Sequence, residues 1–417
     1  MDIGHNWKKN AALFLLSQTV SLFGSMLVQY AITWHITLKT QSGIMMTLSI
    51  ICGFVPTLIV SPFAGVWADR YDRKAVIILS DSLIAVSTLA LAALFMAGLG
   101  SIWLLFAALA VRSFGGGIQT PAVGAFLPQI VPEEKLTRVN GINGSVQSLI
   151  TLLSPMLSGA LLSFASLEAI FFIDIVTAAV AVAILLILKM PARETASEPQ
   201  NAGYFKDMAA GIRYIANHRF VRTLFVHCAV FFVLAAPLAF LTLLQVTRSF
   251  GDDVWRLTVL EVVFSSGMTL GGLIIAAWGG FENRAHTMLL SLFAVALCTI
   301  LLGLVPVFWI YLAVMGFVGI SMSIFNTPFT VLLQQKVEPE YMGRVFGVLS
   351  MISSSIMPLA MFIFGPAADI IRIETLLVAT GVLMLAHCAV AMRSRVLLEG
   401  GKSEQTAKDS RTGDNGV

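Results

Sequence analysis

Four charged side chains lie well inside long apolar stretches of this sequence: Arg112, Glu261, Asp174 and Asp81. If such a stretch crosses a bilayer, a charge within it costs at least about 2.5–3.5 kcal/mol, so it needs a partner or a water-filled cavity. Removal of water favours the neutral form of a carboxyl group, whereas a nearby arginine favours the charged form. A carboxylate that alternates between these surroundings can bind and release a proton. The four residues are therefore candidates for proton coupling.

Glu261 is the first of these candidates because its helical face is otherwise polar, so its carboxyl group is expected to meet a polar cavity. The face also carries Thr258, Ser265 and Thr269. The alternatives for Glu261 are direct contact with a cationic substrate and a structural role. Arg112 is either a switchable partner of a carboxylate or an organiser of the N-terminal half. For Asp81 and Asp174, the alternative to proton coupling is a structural role.

Polar residues also recur at spacings of three or four within the apolar stretches, which places them on one face of a helix. A helix in an apolar bundle does not turn such a face to lipid. With several aromatic residues, they are candidates for the wall of a substrate cavity: Gln18, Ser21, Ser25, Gln29, Tyr30, Trp34, Gln147, Thr151, Phe231, Phe232, Ser265, Asn326 and Thr330. The alternatives are helix packing and hydrogen bonds to the helix backbone, and for Trp34 also anchoring at the membrane surface.

The elements that position these residues are predicted to be membrane-spanning helices. Of the 417 residues, 57% are hydrophobic and only 12% are charged, whereas soluble domains carry about 25% charged residues. Apolar stretches of about 20 residues suit helices that cross a bilayer, and the short alternating segments of a β-barrel are absent from the sequence. We predict twelve spans, at approximately 11–38, 44–67, 75–97, 102–128, 139–163, 168–189, 220–246, 257–279, 286–304, 307–333, 345–370 and 374–392.

The positions of lysine and arginine predict the orientation of these spans. If the N-terminus is cytoplasmic, 21 of the 26 basic residues fall on the inner side, four on the outer side, and Arg112 within a span. One missed helix would invert every later loop and destroy this asymmetry. Both termini are therefore expected in the cytoplasm.

The chain is predicted to contain two related six-helix bundles. Residues 1–189 form the first bundle, 190–219 a cytoplasmic linker with an amphipathic helix at Phe205 to Val221, 220–393 the second bundle, and 394–417 a disordered cytoplasmic tail. Polar, glycine and proline residues of the two halves match at an offset of 206 or 207, as in Gln119-Thr120-Pro121 and Asn326-Thr327-Pro328. Two parallel repeats with a site between them are typical of transporters.

The loop after the second span reads Gly65-Val-Trp-Ala-Asp69-Arg70-Tyr-Asp72-Arg73-Lys74 and resembles the signature loop of the Major Facilitator Superfamily. Asp72 departs from the pattern, which often has glycine there. Other segments resemble the macrolide-efflux branch of that superfamily: Asn6-Trp7-Lys8, the stretch from Gln18 to Gln29, Arg112-Ser113, Val131-Pro132-Glu133-Glu134, Gly271-Gly272 and Gly343-Arg344-Val345-Phe346. The resemblance implies an all-α fold of twelve membrane helices in two pseudo-symmetric bundles, and proton-driven export of a lipophilic drug such as a macrolide.

The signature loop is the candidate cytoplasmic gate, with Gly65, Asp69, Arg70, Arg73 and Lys74 as its residues. Asp69 follows the second span, and the eleventh span begins near Gly343 on the same predicted side. A carboxylate at a helix N-terminus is stabilised by free amides and the helix dipole, typically by about 0.3–1 kcal/mol. Such a contact would act as a latch when the inner side closes. The alternative is that these charges only set the orientation.

Several function classes are disfavoured. The sequence has no Walker loop, dinucleotide-binding glycine motif or zinc-spaced set, so no cofactor or metal is expected, and a partner ATPase is not indicated. Besides the drug exporter, an exporter or symporter of an endogenous metabolite, lipid or nutrient is possible. A membrane enzyme or receptor would show a catalytic cluster at one membrane face, which is not visible. The expected partners are a small lipophilic substrate, protons and lipid, without nucleic acid, for a monomer in a bacterial-type cell membrane.

Overall fold

The computed structural model describes residues 7–188 and 204–401, and within these ranges the chain is helical without strands. The first half contains α1 (Trp7–Thr40), α2 (Gly43–Arg70), α3 (Arg73–Met96), α4 (Ile102–Ile130), α5 (Glu133–Phe164) and α6 (Leu167–Ile187). The second half contains α7 (Tyr204–Asn217), α8 (Arg219–Ala236), α9 (Thr242–Ser249), α10 (Val254–Trp278), α11 (Arg284–Leu304), α12 (Phe308–Lys336), α13 (Met342–Ile370), α14 (Ile373–Met392) and α15 (Arg395–Gly400).

Twelve helical segments in the described residues are long and apolar enough to cross a membrane. This confirms the predicted number of spans. The seventh span, Arg219–Ser249, is not one continuous α-helix, because a π-helical turn at Pro237–Leu241 joins α8 to α9. Proline has no N–H to donate to the preceding turn. π-Helical turns are rare in proteins, and those that occur are often located at functional sites.

Side chains at the helix ends explain where several spans begin. Ser101, Ser166 and Asn283 accept hydrogen bonds from amides of the first turns of α4, α6 and α11, which satisfies donors that the helix leaves free. The amphipathic helix expected at Phe205 to Val221 ends earlier. His218 has an extended backbone and caps α8, so that α7 stops at Asn217.

The chain divides into two compact units. Unit 1 comprises Met1–Gln41, Met45–Tyr204 and Asp253–Thr258, and unit 2 comprises Ser42–Ile44, Phe205–Asp252 and Val259–Val417. In unit 1, α1 packs against α4, α5 and α6, and α3 packs against α4 and α6. In unit 2, α11 packs against α12 and α14, and α8 packs against α13 and α14. The domain boundaries drawn from the sequence stay a prediction.

Candidate transport site

Arg112 and Asp174 form a buried ion pair inside unit 1, with side chains 5% and 1% exposed. The guanidinium also donates to the Thr88 hydroxyl at 2.6 Å and to the backbone carbonyl of Ser25 at 3.0 Å. These four residues lie on α4, α6, α3 and α1, so one cation joins four helices. Of the two roles predicted for Arg112, this geometry supports the organiser of the N-terminal half.

Asp81 lies on α3 and is 2% exposed. Its Oδ1 accepts hydrogen bonds from the Ser21 hydroxyl and the Gln119 side-chain amide, each at 2.7 Å. Its Oδ2 is buried and has no hydrogen-bond partner among the described residues. The two donors link α3 to α1 and α4, and the free oxygen is where a proton would be held.

The polar stripe of α1 is used mainly for packing inside unit 1. Ser21 donates to Asp81, and the backbone carbonyl of Ser25 accepts from Arg112. Gln18 Nε2 is buried without a partner in the part of the chain that the structure describes. Gln29 faces α2, where its Nε2 lies 3.4 Å from the position that a Cβ would take on Gly53.

Trp34 is fully buried, so the interpretation of this residue as a membrane-surface anchor is wrong. Its ring contacts the Tyr30 ring edge-on, with centroids 5.6 Å apart. A ring atom of Trp34 lies 3.0 Å from where a Cβ would stand on Gly159 of α5. The absent side chain of Gly159 is what allows α5 to approach this close.

The polar candidates on α5 and α12 are more exposed than those on α1. Gln147, Thr151 and Asn326 are exposed, while Thr330 is half-buried. Thr151 and Thr330 each donate to the carbonyl four residues earlier in their own helix, at 2.9 Å. Such self-bonding satisfies the hydroxyl without a cavity, so the amides of Gln147 and Asn326 are the stronger candidates for contact with water or a ligand.

The two aromatic candidates of α8 differ in position. Phe231 is 1% exposed and packs against Phe325 of α12, with ring centroids 4.7 Å apart. Phe232 contacts Phe231 at 5.8 Å and is half-buried. Phe231 therefore belongs to the packing of unit 2.

The basic residues of the signature loop hold the ends of helices in unit 1. Arg73 donates to the carbonyls of Ala68 in α2 and Ala125 in α4, at 2.9 and 2.6 Å. Lys74 donates to the carbonyl of Leu188 at 2.8 Å, directly after α6. Cations at helix C-termini satisfy free carbonyls and favour the helix dipole. These two charges thus have a structural role besides any effect on orientation.

The remaining residues of the signature loop make fewer contacts with the helices of unit 1. Arg70 is exposed. Asp72, where the family often has glycine, caps α3 by accepting a hydrogen bond from the Lys74 amide at 3.3 Å. Gly65 has no atom of the described chain within 4 Å of a Cβ position. The Asp69 side chain lies outside what the structure describes, so the latch stays a prediction.

Glu261 borders a cavity of about 110 Å³ in unit 2. The cavity is lined by Ala235, Leu238, Ala239, Thr242, Leu260, Phe264, Met315, Val318, Met322 and Met357. Apart from Thr242, whose hydroxyl donates to the carbonyl of Leu238 four residues earlier, these surroundings are apolar, in contrast to the polar cavity expected from the sequence. Thr258 and Thr269 donate to carbonyls of their own helix instead, and Ser265 is half-buried and does not line the cavity.

A separate polar cluster in unit 2 involves Asp369, near the end of α13. Arg248 Nη2 lies 2.6 Å from the carboxylate. The hydroxyl of Ser42 and the amides of Gly43 and Ile44 donate to the same group at 2.7–2.9 Å. Asp369 thereby caps the first turn of α2, and its charge is balanced by an arginine.

The comparisons with known proteins give the family. A sequence model of the Major Facilitator Superfamily matches residues 13–361. This chain belongs to that superfamily. The twelve membrane-spanning helices and the absence of strands in the described residues agree with this assignment, and the protein is a multi-pass membrane transporter.

Two relatives of this Major Facilitator protein are named macrolide efflux protein A. The protein from Streptococcus pyogenes is 29% identical over 394 residues, covering 94% of this chain and 97% of its own. The protein from Enterococcus faecalis is 30% identical over 324 residues, covering 77% and 99%. A solved bacterial homologue of the iron transporter ferroportin, inward-facing, superimposes with a TM-score of 0.70 at 17% identity over 93% and 99% of the two chains.

Two features of the Major Facilitator protein were missed by the sequence reasoning. The link from Asp81 to Gln119 joins residues 38 positions apart, and the rotation of α4 that brings them together has no sequence signal. The π-helical turn beside Glu261 did have a sequence signal, because Pro237 lies within an apolar span.

Proposed function

We propose that this transporter exports a lipophilic drug, such as a macrolide, in exchange for protons, by alternating access. The observation that carries the proposal is the similarity to macrolide efflux protein A over 94% of this chain and 97% of the relative. The sequence has no Walker loop for nucleotide binding, which supports a proton gradient as the source of energy.

Glu261 is the proposed coupling residue. Within residues 7–188 and 204–401 its carboxylate makes no hydrogen bond and no ion pair, whereas Asp174 pairs with Arg112 and Asp81 accepts two hydrogen bonds. Removing water favours a neutral carboxylic acid, and access to water or a cation favours the carboxylate. A group without a fixed partner can follow such changes. Asp81, with its free Oδ2, is the second candidate.

The transporter is proposed to lie in a bacterial cell membrane with both termini in the cytoplasm. The signature loop is then cytoplasmic, where Asp69 would contact the N-terminus of α13 when the inner side closes. Gln147 and Asn326 are proposed to contribute to the substrate cavity, because exposed amides on membrane-spanning helices are disfavoured against lipid.

The proposal is tested by uptake of a radiolabelled macrolide into everted membrane vesicles energised with a respiratory substrate. Uptake should follow the pH gradient and collapse when a protonophore is added. Vesicles without the protein give the background. Macrolide uptake that persists with the protonophore would overturn proton coupling, and gradient-driven uptake of metabolites without any of macrolides would favour an endogenous substrate.

A further inference from the structure

A second cavity in unit 2 lies at the ends of three membrane-spanning segments. Its volume is about 640 Å³, within the roughly 300–1,000 Å³ of pockets that enclose a small organic ligand. The segments Arg219–Ser249 and Arg284–Leu304 end beside it, and the segment Ile373–Met392 begins there. Because a spanning helix ends where the hydrocarbon core gives way to lipid headgroups, the cavity lies at the depth of the headgroups.

Two polar residues of the lining are held by hydrogen bonds within unit 2. Gln245 is buried, and its Oε1 accepts from the Tyr311 hydroxyl while its Nε2 donates to the carbonyl of Leu302, each at 2.9 Å. Arg248 donates from Nη2 to the Asp369 carboxylate at 2.6 Å. These groups satisfy one another, so the charges of a ligand would be met by other residues of the lining.

The two remaining charges of the lining, Arg372 and Glu374, have opposite signs and lie side by side. Arg372 is 85% exposed, and its Nε lies 3.7 Å from Oε2 of Glu374, which is longer than a hydrogen bond. The hydroxyl of Ser249 donates to Oε1 of Glu374 at 2.7 Å. Within the described residues, neither the Arg372 guanidinium nor Oε2 of Glu374 makes a hydrogen bond. A ligand that carries both an anion and a cationic donor would complement this pair.

The rest of the lining is largely apolar and partly uncovered. Leu304 lines the cavity with a side chain that is 64% exposed. Other apolar residues of the lining are Phe250, Val305, Pro306 and Val378. A small zwitterion dissolved in water gains little from such a wall. The glycerol and first methylene groups of a phospholipid would bury apolar surface against it.

We propose that this cavity binds the phosphoethanolamine headgroup of a membrane phospholipid. The phosphate accepts from the Arg372 guanidinium, and the primary ammonium donates to Oε2 of Glu374. A choline headgroup has no N–H to donate, and a phosphoglycerol headgroup has no cation, so both lipids lack the second contact. The inference goes beyond drug export and does not depend on it. With the predicted orientation, the site belongs to the outer leaflet.

The experiment measures the dissociation constant of the first bound lipid by native mass spectrometry of the purified full-length protein. Dioleoyl phosphatidylethanolamine, phosphatidylcholine and phosphatidylglycerol share their acyl chains, and O-phosphoethanolamine is the soluble counterpart. The variants are Glu374→Gln, Glu374→Asp, Arg372→Gln and Thr375→Trp, of which the last narrows the cavity and keeps both charges. Asp252→Asn and Lys39→Gln remove exposed charges outside the lining and serve as controls.

We expect phosphatidylethanolamine to bind about fivefold more tightly than the other two lipids, as suits one partly exposed ionic contact. Glu374→Gln should remove this preference, because only the ethanolamine lipid uses the carboxylate, and Glu374→Asp should retain it. Arg372→Gln and Thr375→Trp should weaken all three lipids, since each carries a phosphate and enters the same cavity. The two controls should bind as the unaltered protein does, and O-phosphoethanolamine should bind far more weakly than the lipid.

Unchanged preference for phosphatidylethanolamine in Glu374→Gln, or unchanged lipid affinity in Thr375→Trp, would overturn the inference. Phosphatidylglycerol that binds most tightly, and depends on Arg372 but not on Glu374, would also overturn it by identifying a site for anions. Soluble O-phosphoethanolamine that binds as tightly as the lipid would overturn the assignment to the membrane. Size-exclusion profiles report folding, and a preference retained in Glu374→Asp but lost in Glu374→Gln separates binding from any loss of structure.

Discussion

At the residue scale, the Arg112–Asp174 pair is the most buried charge pair among the described residues. Asp174→Asn leaves the guanidinium charged and without its counter-ion. Breaking a buried pair by removing one partner typically costs about 3–5 kcal/mol. We therefore expect a clearly lower thermal unfolding temperature for Asp174→Asn, measured by scanning fluorimetry in detergent.

The control for this prediction is Asp252→Asn, which changes an exposed carboxylate before α10 and should leave the unfolding temperature unaltered. The double variant Arg112→Gln with Asp174→Asn should recover part of the loss, since no unpaired charge remains buried. Equal stability of Asp174→Asn and the unaltered protein would contradict the structural role.

Glu261 gives the second prediction at this scale. Glu261→Gln keeps the shape of the side chain but cannot bind or release a proton, so it should abolish accumulation of drug against a gradient. Facilitated flux down a gradient should remain. Glu261→Asp should retain partial activity. Both are measured as radiolabelled macrolide uptake in proteoliposomes with an imposed pH gradient.

Asp81→Asn provides the comparison within the same assay. Asparagine keeps an oxygen acceptor for Ser21 and Gln119, so folding should be preserved. If Glu261→Gln still pumps uphill while Asp81→Asn does not, the coupling role passes to Asp81.

At the element scale, the α2–α3 loop carries two carboxylates with different expected roles. Asp69→Asn should impair transport while leaving substrate binding nearly intact, because a latch acts on closure and not on the binding site. Transport is measured in vesicles, and binding is measured separately in nanodiscs.

The matched variant is Asp72→Asn, three residues later in the same loop. Asparagine is as good a helix cap as aspartate, so the cap on α3 should persist and transport should stay near normal. Parallel loss of binding and transport in correctly inserted Asp69→Asn protein would contradict a latch.

The elements of this fold were more predictable than the contacts between them. Hydropathy alone gave the twelve spans, because a bilayer requires about 20 apolar residues per helix. Prediction of Ser21, Gln119 and Asp81 as one cluster would have required the rotations of three helices. Trp34 shows the same limit, since an indole at the end of a span and one buried against Gly159 have the same sequence pattern.

At the scale of the whole molecule, the asymmetry of basic residues predicts the orientation of every loop. A cysteine placed at Lys39 should react with a membrane-impermeant maleimide added to intact cells, whereas one at Lys206 should react only after the membrane is opened. The background protein should lack Cys52, Cys228, Cys298 and Cys388, which form no disulfide. Labelling at position 206 in sealed cells would contradict the predicted orientation.

The cap that Asp369 provides to α2 has a consequence for biosynthesis. The Asp369 carboxylate accepts a hydrogen bond from the Gly43 amide, which lies 326 residues earlier in the sequence. At about 5–20 residues per second, the ribosome needs roughly 15–65 s between them. During that interval the first amides of α2 must be satisfied by water or by a temporary partner. The cap on α2, a helix inserted near the start of translation, thus forms only after the end of α13 has been made. Substitutions at Asp369 should therefore delay the final folding of the nascent transporter, while the insertion of its early helices stays nearly unaffected.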